Sequence, residues 1–190
     1  MDRLVEKIET ERLVLRQLNM GDIKDVVEGL NNINVSKWLT KVPFPYTEED
    51  AKAYIKNTID NNLYNYAIVL KSENKLIGGT QITIVSANDG VATGGLWLNE
   101  KYHGCGYGTE ALDARARYSF EVLGLRRIEN GYFKGNEKSH RMQLKVGYKD
   151  EGIKRQRYIC DATGEIVDEC ITGLLRDEWM ERQSYKMNGD

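Results

Sequence analysis

The order of patterns along the chain predicts an α+β fold built on a mixed central sheet. Three observations carry this. Short β-branched and alternating stretches follow one another as an antiparallel meander would, at 66–70, 76–84 and 91–98. A glycine-punctuated turn, Gly104-Cys105-Gly106-Tyr107-Gly108, then opens a long helical pattern. A strand, a short helix and a closing hairpin come after it.

Leu13-Val14-Leu15-Arg16 alternates as a first strand. Asn19 is a capping residue for a helix from Met20 to about Asn31, with Ile23, Val26, Val27 and Leu30 on one face. Val35 to Leu39 reads as a helical turn, and Pro43 and Pro45 hold the loop after it extended. Thr47-Glu48-Glu49-Asp50 combines a cap with first-turn acid and opens a helix to about Asn61. Strands at 66–70 and 76–84 are joined as a hairpin by Ser72-Glu73-Asn74-Lys75, and Val91 to Leu98 continues the meander after Ala87-Asn88-Asp89-Gly90. A helix from about Gly108 to Leu123 ends at Gly124. Arg127 to Phe133 is a strand and Asn136 begins a helix through Val146. The final hairpin pairs 148–160 with 166–175 around Ala162-Thr163-Gly164, and a polar tail is expected from near Arg176.

A chain of 190 residues suits one domain: an N-terminal extension at 1–9, a domain at 10–180 and a tail at 181–190. Lysine and arginine total 27 against 29 acidic residues, so no excess of positive charge points to nucleic acid. No apolar run approaches the roughly 20 residues of a membrane span, and Met1-Asp2-Arg3-Leu4-Val5-Glu6 contains no signal-peptide core. Cys105, Cys160 and Cys170 form no Cys-x-x-Cys pair, and His103 and His140 lie far apart, so no metal site is expected. Reduced thiols in a cytoplasm are the simplest reading.

The glycine turn is the richest feature. A helix N-terminus has amide N–H groups without internal partners, and its dipole concentrates partial positive charge there. Glycines at 104, 106 and 108 clear side chains from such a cradle, which suits phosphate or pyrophosphate, although such turns also serve as tight connections. The segment lacks the Gly-Lys-Ser/Thr ending of a P-loop. It also lacks the Rossmann spacing, because Thr109 stands where Gly or Ala is needed.

Several ordered stretches, spanning roughly 10 to 180, resemble the GNAT superfamily of N-acetyltransferases and, within it, the Rim-type branch that acetylates protein N-termini. Thr10-Glu11-Arg12-Leu13-Val14-Leu15-Arg16 is similar to that branch's first strand. The segment from Gly104 to Leu112 resembles its acetyl-CoA loop, with four positions from 103 to 108 matching Q/R-x-x-G-x-G/A. Asn136-Glu137-Lys138-Ser139 with Lys145-Val146-Gly147-Tyr148, and Leu174-Leu175-Arg176-Asp177-Glu178-Trp179, look like its later motifs.

The resemblance implies a sheet of about seven strands, splayed as a V, flanked by helices and closed by a hairpin. It implies acetyl-CoA as co-substrate and no metal. Its pyrophosphate would lie on the N–H groups of His103, Gly104, Cys105, Gly106, Tyr107 and Gly108, with Thr109 beside them, and its pantetheine against the backbone of Trp97, Leu98 and Asn99. The Leu98 N–H would stabilise the oxyanion, Asn136 would hold the pantetheine, and Ser139 would both contact the cofactor and bond the departing sulfur. Four departures stand out. Gln143 occupies the position of the family's acidic tyrosine, Thr93 that of a frequent glutamate base, His103 that of Gln or Arg, and Cys105 that of a cation.

No base is assigned, and Glu100, Glu129, Asp113 and His140 are the titratable groups nearby in sequence. The acceptor is expected between the first helices and the final hairpin, walled by Trp38, the 42–46 loop, Tyr132 and Tyr158. A protein or peptide α-amine is the leading acceptor. A small amine (polyamine, amino acid or aminoglycoside) and a non-catalytic acyl-CoA-binding module are the alternatives, and a homodimer through the final hairpin is compatible with the branch. Neither nucleic acid nor membrane is an expected partner.

Overall fold

The computed structural model describes residues 7–61 and 63–187. Its strands are β1 (Lys7–Glu9), β2 (Leu13–Gln17), β3 (Tyr64–Leu70), β4 (Lys75–Ser86), β5 (Val91–Gly94), β6 (Leu96–Leu98), β7 (Arg127–Phe133), β8 (Lys149–Ile159) and β9 (Ile166–Leu175). The helices are α1 (Ile23–Leu30), α2 (Ile33–Ser36), α3 (Glu48–Asp60), α4 (Tyr107–Arg117), α5 (Glu137–Val146) and α6 (Arg176–Met187). One nine-stranded mixed sheet runs β1-β2-β3-β4-β5-β7-β9-β8, with β6 paired to β4 beyond β5. That is two strands more than expected, for two reasons: Lys7–Glu9 pairs with β2 as an edge strand, and the 91–98 stretch breaks at Gly94-Gly95. The start of the expected N-terminal extension, 1–6, lies outside the described residues.

Every strand contact is antiparallel except β5 with β7, which α4 joins as a crossover. One face of the sheet packs Leu13, Leu15, Ile68, Ile77 and Ile128 under α4, together with Val146 and Trp179. The other packs Ala67 and Val69 under α1 and α3 through Val26, Leu30 and Ile55. Burial on both faces explains why Tyr66 to Leu70 is apolar without alternation. The polar tail expected from Arg176 is instead helix α6 as far as Met187. Trp179 anchors it, 5.7 Å from Phe120, with its indole N–H donated to Asp113. No helix among the described residues is long and apolar enough to cross a membrane.

Glu28 ties α1 to the sheet by accepting from Lys101 at 2.7 Å and Lys75 at 2.8 Å. Those bonds, Lys101 first, hold its carboxyl at about 2 rather than the ordinary 4.5. A depressed carboxyl stabilises the fold above its unfolded value, and that contribution disappears as the pH falls through the folded value. Glu28→Gln should therefore lower Tm at about pH 6 and lower it much less near pH 2. An equal Tm difference at both pH values would exclude this linkage.

Candidate active site

The sheet opens at Gly94-Gly95. β5 and β7 run in register to Gly94 beside Asn130, after which β6 follows β4 and leaves β7. Hydrogen-bond alternation determines which groups face the opening. Gln81 N–H donates to Gly95 O and Asn99 N–H to Ile77 O, so the main-chain groups of 95, 97 and 99 face β4. Those of Leu96 and Leu98 consequently face the gap. On the far side Lys134 N–H donates to Asp168 O, and the same alternation turns Gly131 and Phe133 toward the gap. The V is thus lined by main-chain amides from both arms.

This geometry corrects two expectations. The Trp97 main chain pairs with Gly79, and its indole covers Gly29 and Gly79, where an added Cβ would collide with the ring. Asn99 is buried, its N–H and side chain committed to Ile77, Lys101 and Glu28. Neither offers the opening an amide. Leu96, which the sequence reading passed over, takes Trp97's place by alternation.

Arg115 holds the fork of the V. The residue is 1% exposed, and its guanidinium donates to Gly95 O at 3.1 Å and Gln81 O at 3.3 Å on one arm. On the other it donates to Asn130 Oδ1 at 2.7 Å and Tyr148 Oη at 3.3 Å. A single buried cation therefore pins both arms where they part.

Past β6 the chain turns through Glu100–Tyr102 into the glycine loop. Gly104 at φ +79° and Gly106 at +84° adopt the left-handed conformation that favours glycine. Gly106 caps α4, whose first helical bond runs from Glu110 N–H to Gly106 O. The N–H groups of Tyr107, Gly108 and Thr109 precede that bond and stand at the helix N-terminus. Gly108 is glycine for packing, since a Cβ there would lie 2.7 Å from Met142 Sδ. The N–H of His103 is taken by Glu100 O, which removes it from the expected anion cradle. Its ring turns back to the strand, with Nε2 2.9 Å from Leu98 O. Because a carbonyl only accepts, Nε2 carries the proton, and His103 steadies the end of β6. Cys105 is exposed and its thiol points to His103 O.

The loop nevertheless has a cation beside it. Arg12 donates to Cys105 O at 3.0 Å and lies 4.5 Å over the Tyr107 ring. Its Nε and N–H both bond Glu110, which Thr10 also reaches at 2.6 Å. Burial pushes the Glu110 carboxyl up, but these bonds together outweigh it and hold the group below its usual range. Arg12, Thr109, Asp113 and Lys145 line a cavity of about 340 Å³ beside the loop. Only the Thr-Glu-Arg-Leu run hinted at Arg12, because 93 residues separate it from Cys105.

Across the gap, Asn136 caps α5 by accepting from Ser139 N–H at 3.2 Å. Thr172 donates its hydroxyl to Gln143 Oε1, and Gln143 Nε2 donates to Ser139 Oγ at 3.0 Å. A hydroxyl that accepts in this way keeps its own O–H for another acceptor. Gln143, a departure from the family pattern in sequence, thereby orients Ser139.

The nearby titratable groups are engaged elsewhere. Glu100 accepts from Asn32 and Asn34, bonds that hold its carboxyl low. Arg127 binds Glu129, Trp179 and Gln183 bind Asp113, and His140 meets Asp150 at 3.0 Å. Thr93 lies opposite Thr83 and beside Glu129. Tyr132 stacks on His140 at 5.1 Å on the α5 side, so it leaves the expected acceptor wall. Trp38 and Tyr158 lie on the other face of β7. Trp38 lies near Gly135, Tyr158 is 6.3 Å from Phe133, and Cys160 and Asp161 pack on 37–40. Tyr46 is buried, whereas Phe44 is exposed.

A family profile described as Acetyltransferase (GNAT) domain matches residues 12–149. The chain belongs to the GNAT acetyltransferase family. The protein named uncharacterized N-acetyltransferase YnaD, of Bacillus subtilis (strain 168), is 31% identical over 174 residues, covering 90% of this chain and 98% of that protein. A crystal structure of a GNAT-family acetyltransferase from Bacillus anthracis superposes with a TM-score of 0.81 at 27% identity, covering 90% and 99% of the two chains. Spermidine N-acetyltransferase from Vibrio cholerae, solved with CoA and spermine, shares the fold with a TM-score of 0.77 at 20% identity, covering 90% and 99%. The protein is an acetyl-CoA-dependent N-acetyltransferase.

Proposed function

We propose that this enzyme acetylates the α-amine of a protein or peptide, as a Rim-type transferase. The observation that carries the reading is the opening between β6 and β7, lined with main-chain amides and continuous with the glycine loop. An amide-bearing arm such as pantetheine matches such edges as an added strand would. The amides of Tyr107, Gly108 and Thr109, with Arg12 beside them, suit the pyrophosphate. The Leu98 N–H polarises the thioester carbonyl, Asn136 holds the pantetheine, and Ser139 donates to the sulfur as its charge develops.

Charge on the acceptor side supports a single-ammonium substrate. Lys37 lies 5.4 Å over Trp38 and Arg157 5.1 Å over Tyr158, so two cations flank the aromatic wall. A polyamine carries several ammonium groups past them, whereas a peptide N-terminus carries one. Spermidine is the acceptor named for the Vibrio cholerae neighbour, and a small amine is therefore the second reading. The exposed β8 edge is the surface through which two copies would pair.

Thiol release from acetyl-CoA with N-terminal peptides and small amines tests the assignment. Acetylated peptide is expected. Product from small amines alone would replace the peptide reading, and binding without turnover would leave an acyl-CoA-binding module. Forcing a β-branched residue into the left-handed conformation costs about 1–3 kcal/mol. Gly106→Val should accordingly weaken acetyl-CoA binding roughly tenfold. An unchanged dissociation constant by calorimetry would remove the loop from the cofactor site.

A further inference from the structure

Gly131 is the first β7 residue past the last β5 pairing, so it sits at the point of the V. Alternation along β7 directs its missing side chain to the face opposite Arg115 and α4, the face that carries Trp38 and Tyr158. That notch is filled from β9: a Cβ on Gly131 would overlap the Glu169 carboxylate. The Glu169 side chain is only 15% exposed, yet among the described residues no hydrogen bond reaches its carboxylate. Its nearest cation among the described residues is Arg157 Nε, at 3.9 Å. Lys154 lies opposite it on β8, and Glu129, on the same face of β7, is occupied by Arg127. A half-buried carboxylate without a donor is costly to the fold and unexplained by it.

We propose that Glu169 receives the acceptor ammonium at the point of the V and takes its proton. This rests on the transferase reading above. One ammonium proton passes to a Glu169 oxygen, and the freed lone pair forms the C–N bond to the thioester carbonyl carbon. The C–S bond breaks with its electrons on sulfur, which takes up the second proton that nitrogen loses as the amide forms. Glu169 returns its proton to solvent. Burial raises its carboxyl above the ordinary range while Lys154 and Arg157 oppose that, which suits a proton acceptor.

Glu169→Gln in the full chain should lower kcat/KM roughly a hundredfold or more and abolish the acidic limb of its pH profile, with acetyl-CoA affinity unchanged. Arg157→Gln distinguishes a base from an ion-pair partner. It should move the acidic limb to higher pH, because one opposing cation is gone. Equal activity and limbs in Glu169→Gln and the unaltered enzyme would overturn the assignment, as would an acidic limb that stays in place in Arg157→Gln. An unaltered enzyme that binds acetyl-CoA but acetylates neither substrate panel overturns the transferase reading itself, and this role with it.

Discussion

Arg115→Met should lower Tm by roughly 5–12 °C, the equivalent of about 2–4 kcal/mol in a domain of this size. Methionine fills much of the same volume, so loss of packing is a minor part. The larger part is the buried amide oxygen of Asn130 and the partly buried Gln81 carbonyl, each deprived of this donor, whereas the Gly95 carbonyl keeps the Gln81 N–H and the Thr80 hydroxyl. Each such orphan costs about 1–3 kcal/mol, partly recovered where water enters. The effect should extend to function, because those acceptors lie on the two arms of the V. Thermal unfolding with and without acetyl-CoA checks both parts. A Tm within about 1 °C of the unaltered protein would mean that the fork holds without its cation.

Gln143→Leu should reduce kcat roughly ten- to a hundredfold while leaving acetyl-CoA affinity nearly intact. Leucine keeps the volume of a side chain that is 2% exposed but breaks the chain from Thr172 to Ser139. The Ser139 hydroxyl is then free to turn its proton onto a local carbonyl instead of the sulfur. Ser139→Ala should lose a similar factor, and the double variant no more than either, because both remove one donor. Additive losses would show that Gln143 acts independently of Ser139. Circular dichroism separates this effect from unfolding, since the orphaned Thr172 hydroxyl carries its own cost.

The glycine loop and the order of the elements were legible in the sequence because both depend on local chemistry. Positive φ at Gly104 and Gly106, the Asn136 cap and the helix opening after Gly106 each follow from a residue and its near neighbours. Helix α6 was not legible. Its segment is mostly polar and only Trp179 reaches the core, so no apolar stripe marks it. The break at Gly94-Gly95 was equally hidden, since two glycines inside an alternating run read as one strand. Glu169 escaped notice because β9 is continuous in pattern and the gap left by Gly131 exists only once β7 and β9 pair.

By itself the sequence determined an α+β chain, a glycine turn that opens a helix and a resemblance to the GNAT family that the profile match at 12–149 bears out. The tertiary structure alone decided that Leu96 and Leu98, rather than Trp97, face the opening, that Arg12 supplies the cation missing from the loop, and that Arg115 and Glu169 lie on opposite faces of the fork. The physical reason is distance along the chain. Caps and turns are set within a few residues, whereas strand register and buried charge depend on groups brought together from 15 to 98 positions apart.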